Sequence, residues 1–392
     1  MLEMQDTNTD FSSIFYLFAR GNFMKVLHVI SDENIGGAGI LLTNLLSLLD
    51  RQTVESTVAL PRDSKLRERV EELGITTLPL EHEVSRPSVS SVREICRQIR
   101  DFGADIVHAN AAISARIAGK ICGIPVVHTR HCCFAPSWLW RIPFLGTLGG
   151  LLNRSLSDRV IATADAAAEN LQAIGIPKKK IEVIINGSRA VRKSSEEEQE
   201  ALRYALELKQ SDFIVGICAR LEACKGHETF LRAAKKVIDQ CQYRKVKFLI
   251  IGDGSIKEDL KRLSEELGIS DSVRFIGFVS DVAPYYHLMN VNVNCSCGTE
   301  TSSLSLSEGM SAGLPTIASA YGGNSAMIGD GRAGFLFPTG DADALAVCIC
   351  RIANDVNLES SMRREALIRY NDYYTAERMT EEVTKLYQNV LK

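Results

Sequence analysis

The stretch Asn294–Gly323, NCSCGTETSSLSLSEGMSAGLPTIASAYGG, decides how the rest of the chain is read. Val291 and Val293 alternate with polar neighbours just ahead of it, the period of a strand. Gly313-Leu314-Pro315 is a helix stop, because glycine accepts the left-handed cap and proline cannot continue the ladder. These marks predict a strand end, a polar loop, a short helix and a second strand. The helix is expected to start among Thr301, Ser302 and Ser303, whose hydroxyls suit a cap. Glu300 and Glu308 frame it. On one continuous helix they would stand about 12 Å apart along the axis and about 80° around it. That is too far to clamp one metal ion or share one proton, and a good separation for gripping two parts of one long ligand. Between them the unpaired N–H groups of a helix N-terminus offer a seat for phosphate. Taken alone, the plainer reading is a solvated Glu300 and a helix charge at Glu308.

A chain of 392 residues is long for one core and predicts two domains. With 45% hydrophobic and 24% charged residues it is ordinary globular material, neither disordered nor membrane-spanning. Lys and Arg total 45 against 48 acidic residues, and a net charge of −3 gives no reason to expect nucleic acid as a partner. The 11 cysteines form no CxxC pair. Cys132–Cys133, Cys295–Cys297 and Cys348–Cys350 are spaced too tightly for a zinc knuckle, and His131-Cys132-Cys133 lacks a second half. Reduced thiols in a cytoplasmic protein, with no metal, are expected. Residues 1–23 read as a poorly ordered extension. Phe11–Ala19 is too short to span a bilayer and lacks the basic flank and cleavage site of a signal peptide. A start-site extension is favoured over a weak membrane-surface anchor.

From Lys25 the chain alternates. Strands are expected at Lys25–Ser31, Ser56–Leu60, Ile75–Leu80, Asp105–His108, Pro125–Thr129, Arg159–Thr163 and Glu182–Ile185. Helices are expected at Ala38–Leu49, Ser64–Gly74, Ser88–Phe102 and Ala111–Cys122. Such alternation with short links means a doubly wound parallel sheet, whose ligands sit outside the carboxyl ends of strands. Three polar groups fall at such ends: the Gly36-Gly37-Ala38-Gly39 loop, His108 with Asn110, and His131. The loop is not GxGxxG and no acidic residue ends the next strand, so a dinucleotide dehydrogenase is poorly supported. Phe134–Leu152, with both tryptophans, breaks the rhythm. It reads either as a core helix with an irregular lead-in or as an amphipathic face for a lipid-linked acceptor or membrane. The polar run Ser188–Glu200 marks a domain boundary by composition. The pattern then repeats, with strands at Phe213–Cys218, Val246–Ile251, Val273–Gly277 and Gly334–Phe337 and helices at His227–Asp239, Lys257–Leu267 and Asp281–Leu288. The tail from Asp341 is helical, and Thr375–Leu391 puts Met379, Val383, Leu386, Tyr387 and Val390 on one face.

Arg220 and Lys225 fall in the loop after the first strand of the second half, at the same edge as Glu300. Two cations with no acidic run nearby, beside a helix N-terminus, suit a diphosphate whose charge grows as a bond to it breaks.

The chain resembles the large family of retaining glycosyltransferases often called family 4, or glycosyl transferases group 1. The match rests on Arg220-Leu221 with Lys225-Gly226, on Gly252-Asp253-Gly254, on Val273-Arg274-Phe275 with Gly277, and on Glu300-x7-Glu308 running into Gly309-Met310, Gly313-Leu314-Pro315 and Gly322-Gly323. It spans nearly all of Lys25–Lys392 and is looser in the first half, where Gly36-Gly37-Ala38, Asp105–His108 and Asn186-Gly187 fit. The resemblance implies the α/β GT-B fold, two doubly wound Rossmann-like domains facing across a cleft. The division would be an N-terminal acceptor domain at 24–188, a nucleotide-sugar donor domain at 189–373, and a helix at 374–392 returning to the first. It implies that Arg220 and Lys225 hold the donor diphosphate, with Gly36 and Gly37 lining that side across the cleft. Glu308 would bind the ribose and Val279 would sit by the base. Glu300 would touch the transferred sugar, and the N–H groups of Thr301, Ser302, Ser303 and Leu304 would meet sugar and phosphate. His131 matches a histidine near the sugar on the acceptor side, and His108 is a weaker candidate.

The implied reaction is transfer of a sugar, with retention and without metal or cofactor, from a nucleotide diphosphate to a hydroxyl of a glycan or lipid-linked acceptor. The setting would be cell-surface polysaccharide, lipopolysaccharide or glycolipid assembly, in the cytoplasm and in peripheral contact with the inner membrane surface. Three departures stand out. Gly39 replaces a common glutamate or glutamine, Thr301-Ser302-Ser303 replaces Gly-Phe-Gly, and Ala326 stands where a glutamate often follows the double glycine. The alternatives are a non-catalytic nucleotide-sugar-binding subunit and a nucleotide-sugar epimerase. Base, sugar, acceptor and linkage are not written in the sequence.

Overall fold

The structure, a computed structural model, describes residues 23–33, 35–131, 153–240, 245–298 and 300–392. Residues 1–22, Cys132 and Cys133, and the Phe134–Leu152 segment with its two readings lie outside the described residues.

Two parallel sheets organise the chain. The first runs in the order β3-β2-β1-β4-β5-β6-β7, where β1 is Met24–Ile30, β2 Val54–Pro61, β3 Thr76–Leu80, β4 Ile106–Asn110, β5 Val126–Arg130, β6 Arg159–Ala162 and β7 Ile181–Val183. The second runs β10-β9-β8-β11-β12-β13, with β8 Phe213–Cys218, β9 Val246–Ile251, β10 Val273–Gly277, β11 Val291–Asn294, β12 Thr316–Ser319 and β13 Gly334–Phe337. Helices cover both faces, so central strands such as β1 and β9 are buried on both sides and read as near-continuous apolar runs. Strand order reverses between β1 and β4 in one sheet and between β8 and β11 in the other. A crevice opens outside the carboxyl ends at each such point. The glycine loop follows β1, His108 and Asn110 end β4, Arg220 and Lys225 follow β8, and Glu300 follows β11. These residues therefore sit at the two switch points, whereas His131 follows β5 and Glu308 lies in the helix Leu304–Ser311.

Two elements went unread in the sequence. The helix Glu196–Ala205 begins inside the polar run Ser188–Glu200. Its start is a capping box, in which the Ser195 hydroxyl accepts the Glu198 N–H and the Glu198 carboxylate accepts the Ser195 N–H. A helix at Asp165–Ala173 also fills the β6–β7 crossover, where the sequence reading places none.

The C-terminal helix Ala376–Val390 packs against the helix Gly37–Leu48 and the first sheet. Met379, Val383, Leu386 and Tyr387 join the cluster of Val26, Leu42, Leu46 and Ile106. Thr375 caps it by accepting the Arg378 N–H, and the Ser188 and Ala376 backbones bond each other. Tyr387 is fully buried, and its hydroxyl pairs with His108 Nδ1 at 2.5 Å. Tyr387→Ala removes a packed ring and strands that nitrogen, so a loss of about 3–5 kcal/mol in denaturant unfolding is expected. A loss under about 1 kcal/mol would mean the helix is not part of the fold's core.

Candidate functional site

The β8 loop narrows to a single tight turn, Ala223–Lys225, which ends in Gly226 at φ 70°. A Cβ at Gly226 would run into the carbonyl of Cys295, so glycine lets this turn lie directly on the loop after β11. That contact brings Lys225 to Glu300: Nζ donates to Oε2 at 2.9 Å, with both side chains largely buried. Ser296, fully buried, donates its hydroxyl to the same oxygen at 2.9 Å. Glu300 is not in the helix. The helix is Leu304–Ser311, so the separation computed for one continuous helix does not apply.

The double glycine closes the loop from the other side. At Gly322 (φ 55°) and Gly323 a Cβ would strike the carbonyls of Glu300 and Thr301. Side chains at either position would push the loop off its place.

Arg220 has two acidic neighbours. Its Nη1 donates to Glu222 Oε1 at 2.6 Å on the exposed loop. It also faces Asp32, just past β1 in the opposite sheet. Burial raises the Asp32 carboxyl above its ordinary range, and the Arg220 charge opposes that rise. Asp32 is a site residue that the sequence reading missed. A Cβ built on Gly36 would lie 3.7 Å from its Oδ2, and one on Gly37 would meet nothing within 4 Å. The glycine loop therefore leaves open space rather than a tight packing contact. Gly39 differs: a side chain there would press on Leu66, 3.2 Å from the Cβ position.

Glu308 lies within the helix Leu304–Ser311. The buried Tyr286 hydroxyl donates to its Oε2 at 3.0 Å, and burial pushes the Glu308 carboxyl up to about 7 against that bond. Val279 packs in the same cluster as Tyr286 and Leu288.

The hydroxyl loop joins the two sheets. Thr301 donates to the His131 carbonyl at 2.8 Å and accepts from the Thr163 hydroxyl at 3.1 Å, while Asn186 Nδ2 reaches the Ser302 carbonyl at 3.5 Å. The expected hydroxyl cap is corrected. Ser303 is the N-cap, but its hydroxyl caps nothing; it accepts from Asn294 Nδ2 at 2.8 Å and pairs with Ser305. Its N–H is also spent, on Met327 Sδ at 3.2 Å, which removes it from the four donors expected to face a ligand. Leu304 packs on the first domain's core.

His131 Nε2 pairs with Asn110 Oδ1 at 2.9 Å, and burial lowers its pKa to about 4, so it is neutral near pH 7. Its Nδ1 has no partner among the described residues, and neither has Asn110 Nδ2. Both residues line one cavity with Leu41, Leu45, Ile161 and Asn186. His108, the weaker candidate, lines the same cavity as His131 and Asn110. It is buried between Tyr387 and Thr129, the latter at 2.6 Å, and burial drives its pKa well down. Among the described residues no three His, Cys, Asp or Glu side chains gather as a metal site, and no helix is long and apolar enough to cross a membrane.

Comparison with known proteins places the chain in a family. The family model described as Glycosyl transferases group 1 matches residues 212–355, and that described as Glycosyltransferase Family 4 matches residues 35–189. The lipopolysaccharide core biosynthesis glycosyltransferase LpsD of Rhizobium meliloti is 26% identical over 343 residues, covering 86% of this chain and 91% of that one. The UDP-Gal:alpha-D-GlcNAc-diphosphoundecaprenol alpha-1,3-galactosyltransferase of Escherichia coli is 26% identical over 279 residues, 67% of this chain and 70% of its own. Anabaena HepE, solved in complex with UDP, aligns with a TM-score of 0.80 at 22% identity over 93% of this chain and 99% of that one, a likeness of fold.

Proposed function

Because the chain belongs to the group 1, family 4 glycosyltransferases of GT-B fold, we propose that it moves a sugar from a nucleotide diphosphate to a hydroxyl of a glycan or lipid-linked acceptor, with retention. The observation that carries this reading is the largely buried Lys225–Glu300 contact at the switch point of the second sheet.

In this reading the diphosphate lies by Arg220 and Lys225, against Gly36 and Gly37. The two cations stabilise the charge that grows on the leaving phosphate, the task a metal ion performs elsewhere. Glu308 accepts the ribose hydroxyls, with the base beside Val279. Glu300 accepts from the transferred sugar, and neutral His131 meets it from the acceptor side. No carboxylate is placed as an acid–base pair; the site works by holding the donor and leaving one face open to the incoming hydroxyl. Placement in surface-polysaccharide or lipopolysaccharide assembly is supported by what the R. meliloti and E. coli relatives are named for. Peripheral contact with a membrane surface follows from a lipid-linked acceptor.

The test is turnover in EDTA. UDP-, GDP- and ADP-hexoses are incubated with lipid-linked oligosaccharides extracted from bacterial membranes, and the first-formed anomer is read by proton NMR. Transfer with the donor's anomeric configuration is expected. An inverted product contradicts retention, and activity that requires added divalent metal contradicts the assigned role of Arg220 and Lys225.

A further inference from the structure

The Glu300 carboxylate is divided. Oε2 takes two hydrogen bonds, from Lys225 Nζ and from the Ser296 hydroxyl, both at 2.9 Å. Oε1 takes none among the described residues, and it is not among the sealed, partnerless polar atoms of the interior. One oxygen is thus anchored and the other is offered to the cleft.

Ser296 is itself held by two bonds to its backbone. Its N–H donates to Asn294 Oδ1 at 2.9 Å, and its carbonyl accepts from Ser319 Oγ at 2.6 Å. Asn324, fully buried, donates to Asn294 Oδ1 and to the Ser319 carbonyl, at 3.3 and 3.2 Å. Asn294 in turn donates to Ser303 at the start of the helix Leu304–Ser311. This buried network ties the ends of β11 and β12 to the helix start and delivers one hydroxyl, that of Ser296, to the site. Its bonds are buried and mutually dependent, so moving one member breaks the others; Asn324 Oδ1 alone has no partner among the described residues.

Lys225 cannot do this alone. A diphosphate in the cleft carries more charge than Glu300 and competes for the Lys225 ammonium. When Nζ turns toward phosphate, Glu300 keeps its place only if a second donor holds Oε2. We propose that Ser296 is a positioning residue for the donor sugar: it anchors Glu300 Oε2 while Lys225 engages the diphosphate, so that Oε1 stays aimed at a sugar hydroxyl. This rests on the donor reading above and adds a residue to which that reading assigns nothing.

The experiment compares UDP, GDP and ADP with the corresponding nucleotide glucoses by calorimetry, on wild type, Ser296→Ala and Ser296→Thr. Thermal unfolding is measured alongside. The expected result is that the glucose moiety adds affinity in wild type and that Ser296→Ala loses about tenfold of it. Affinity for the free nucleoside diphosphate should stay unchanged, and Ser296→Thr should restore the difference. Retention of the full glucose increment in Ser296→Ala overturns the inference. So does an equal loss for diphosphate and nucleotide glucose, which marks a merely structural serine. Equal affinity of wild type for both ligands also overturns it, since Glu300 then offers nothing to the sugar. If wild type binds no nucleoside diphosphate of any base, the donor reading itself fails, and the role of Ser296 falls with it.

Discussion

Lys225→Ala is expected to lower the transfer rate by about 10²–10³-fold while the protein stays folded. The magnitude is that of removing one preorganised donor from a developing anion, about 3–4 kcal/mol. Lys225 is placed for this by a turn that only glycine at 226 allows. Its loss also leaves Glu300 with Ser296 as its one remaining charge-stabilising contact among the described residues. Lys225→Arg should recover little, because the planar guanidinium does not reproduce the point contact of a compact ammonium with Glu300. Steady-state rates on purified variants, with circular dichroism to confirm folding, decide the matter. Turnover within about threefold of wild type in Lys225→Ala would remove the lysine from the site.

Glu308→Ala should weaken nucleotide affinity by about 10–100-fold, the cost of losing charge-assisted hydrogen bonds to two ribose hydroxyls. The carboxyl also makes affinity depend on pH. Burial raises it to about 7, so in the free protein it is half neutral near that pH and mostly neutral below it. Two hydroxyls donating to one carboxylate need the ionised form, so affinity should fall by up to about tenfold per pH unit below 7 and level off above it. The Tyr286 hydroxyl favours the ionised form. Tyr286→Phe should therefore move the profile to higher pH, and Glu308→Gln should flatten it. A flat wild-type profile between pH 5.5 and 8 would contradict the ribose role.

Much of this was legible because parallel α/β sheets announce themselves: fully buried strands are continuous apolar runs, and their boundaries at Phe213–Cys218, Val246–Ile251 and Val273–Gly277 coincide with the observed strands. The helix at Glu196–Ala205 carried its own signal in Ser195-x-x-Glu198, masked by a composition that otherwise reads as linker. The division of labour at the site was harder to read. That Lys225 and Glu300 touch depends on a glycine contact between residues far apart in sequence, and no local pattern encodes it. The Thr301 bridge to His131 and Thr163, and the place of Asp32 opposite Arg220, likewise exist only once two sheets face each other. A histidine at a strand's carboxyl end has the pattern of a site residue, but nothing local says that Tyr387, far along the chain, would take the Nδ1 of His108. The serine-rich loop was expected to offer free donors; the fold spends the Thr301 hydroxyl on the His131 carbonyl and the Ser303 N–H on Met327.

The central claim is that the cleft between the two sheets binds a nucleoside diphosphate sugar through Lys225, Glu300 and Glu308. Isothermal titration of UDP-, GDP- and ADP-glucose into the wild-type protein, in EDTA, tests it most directly. Saturable one-to-one binding of at least one of the three is predicted, weakened in both Lys225→Ala and Glu308→Ala. Binding that neither substitution weakens, or no heat from any of the three, would contradict it.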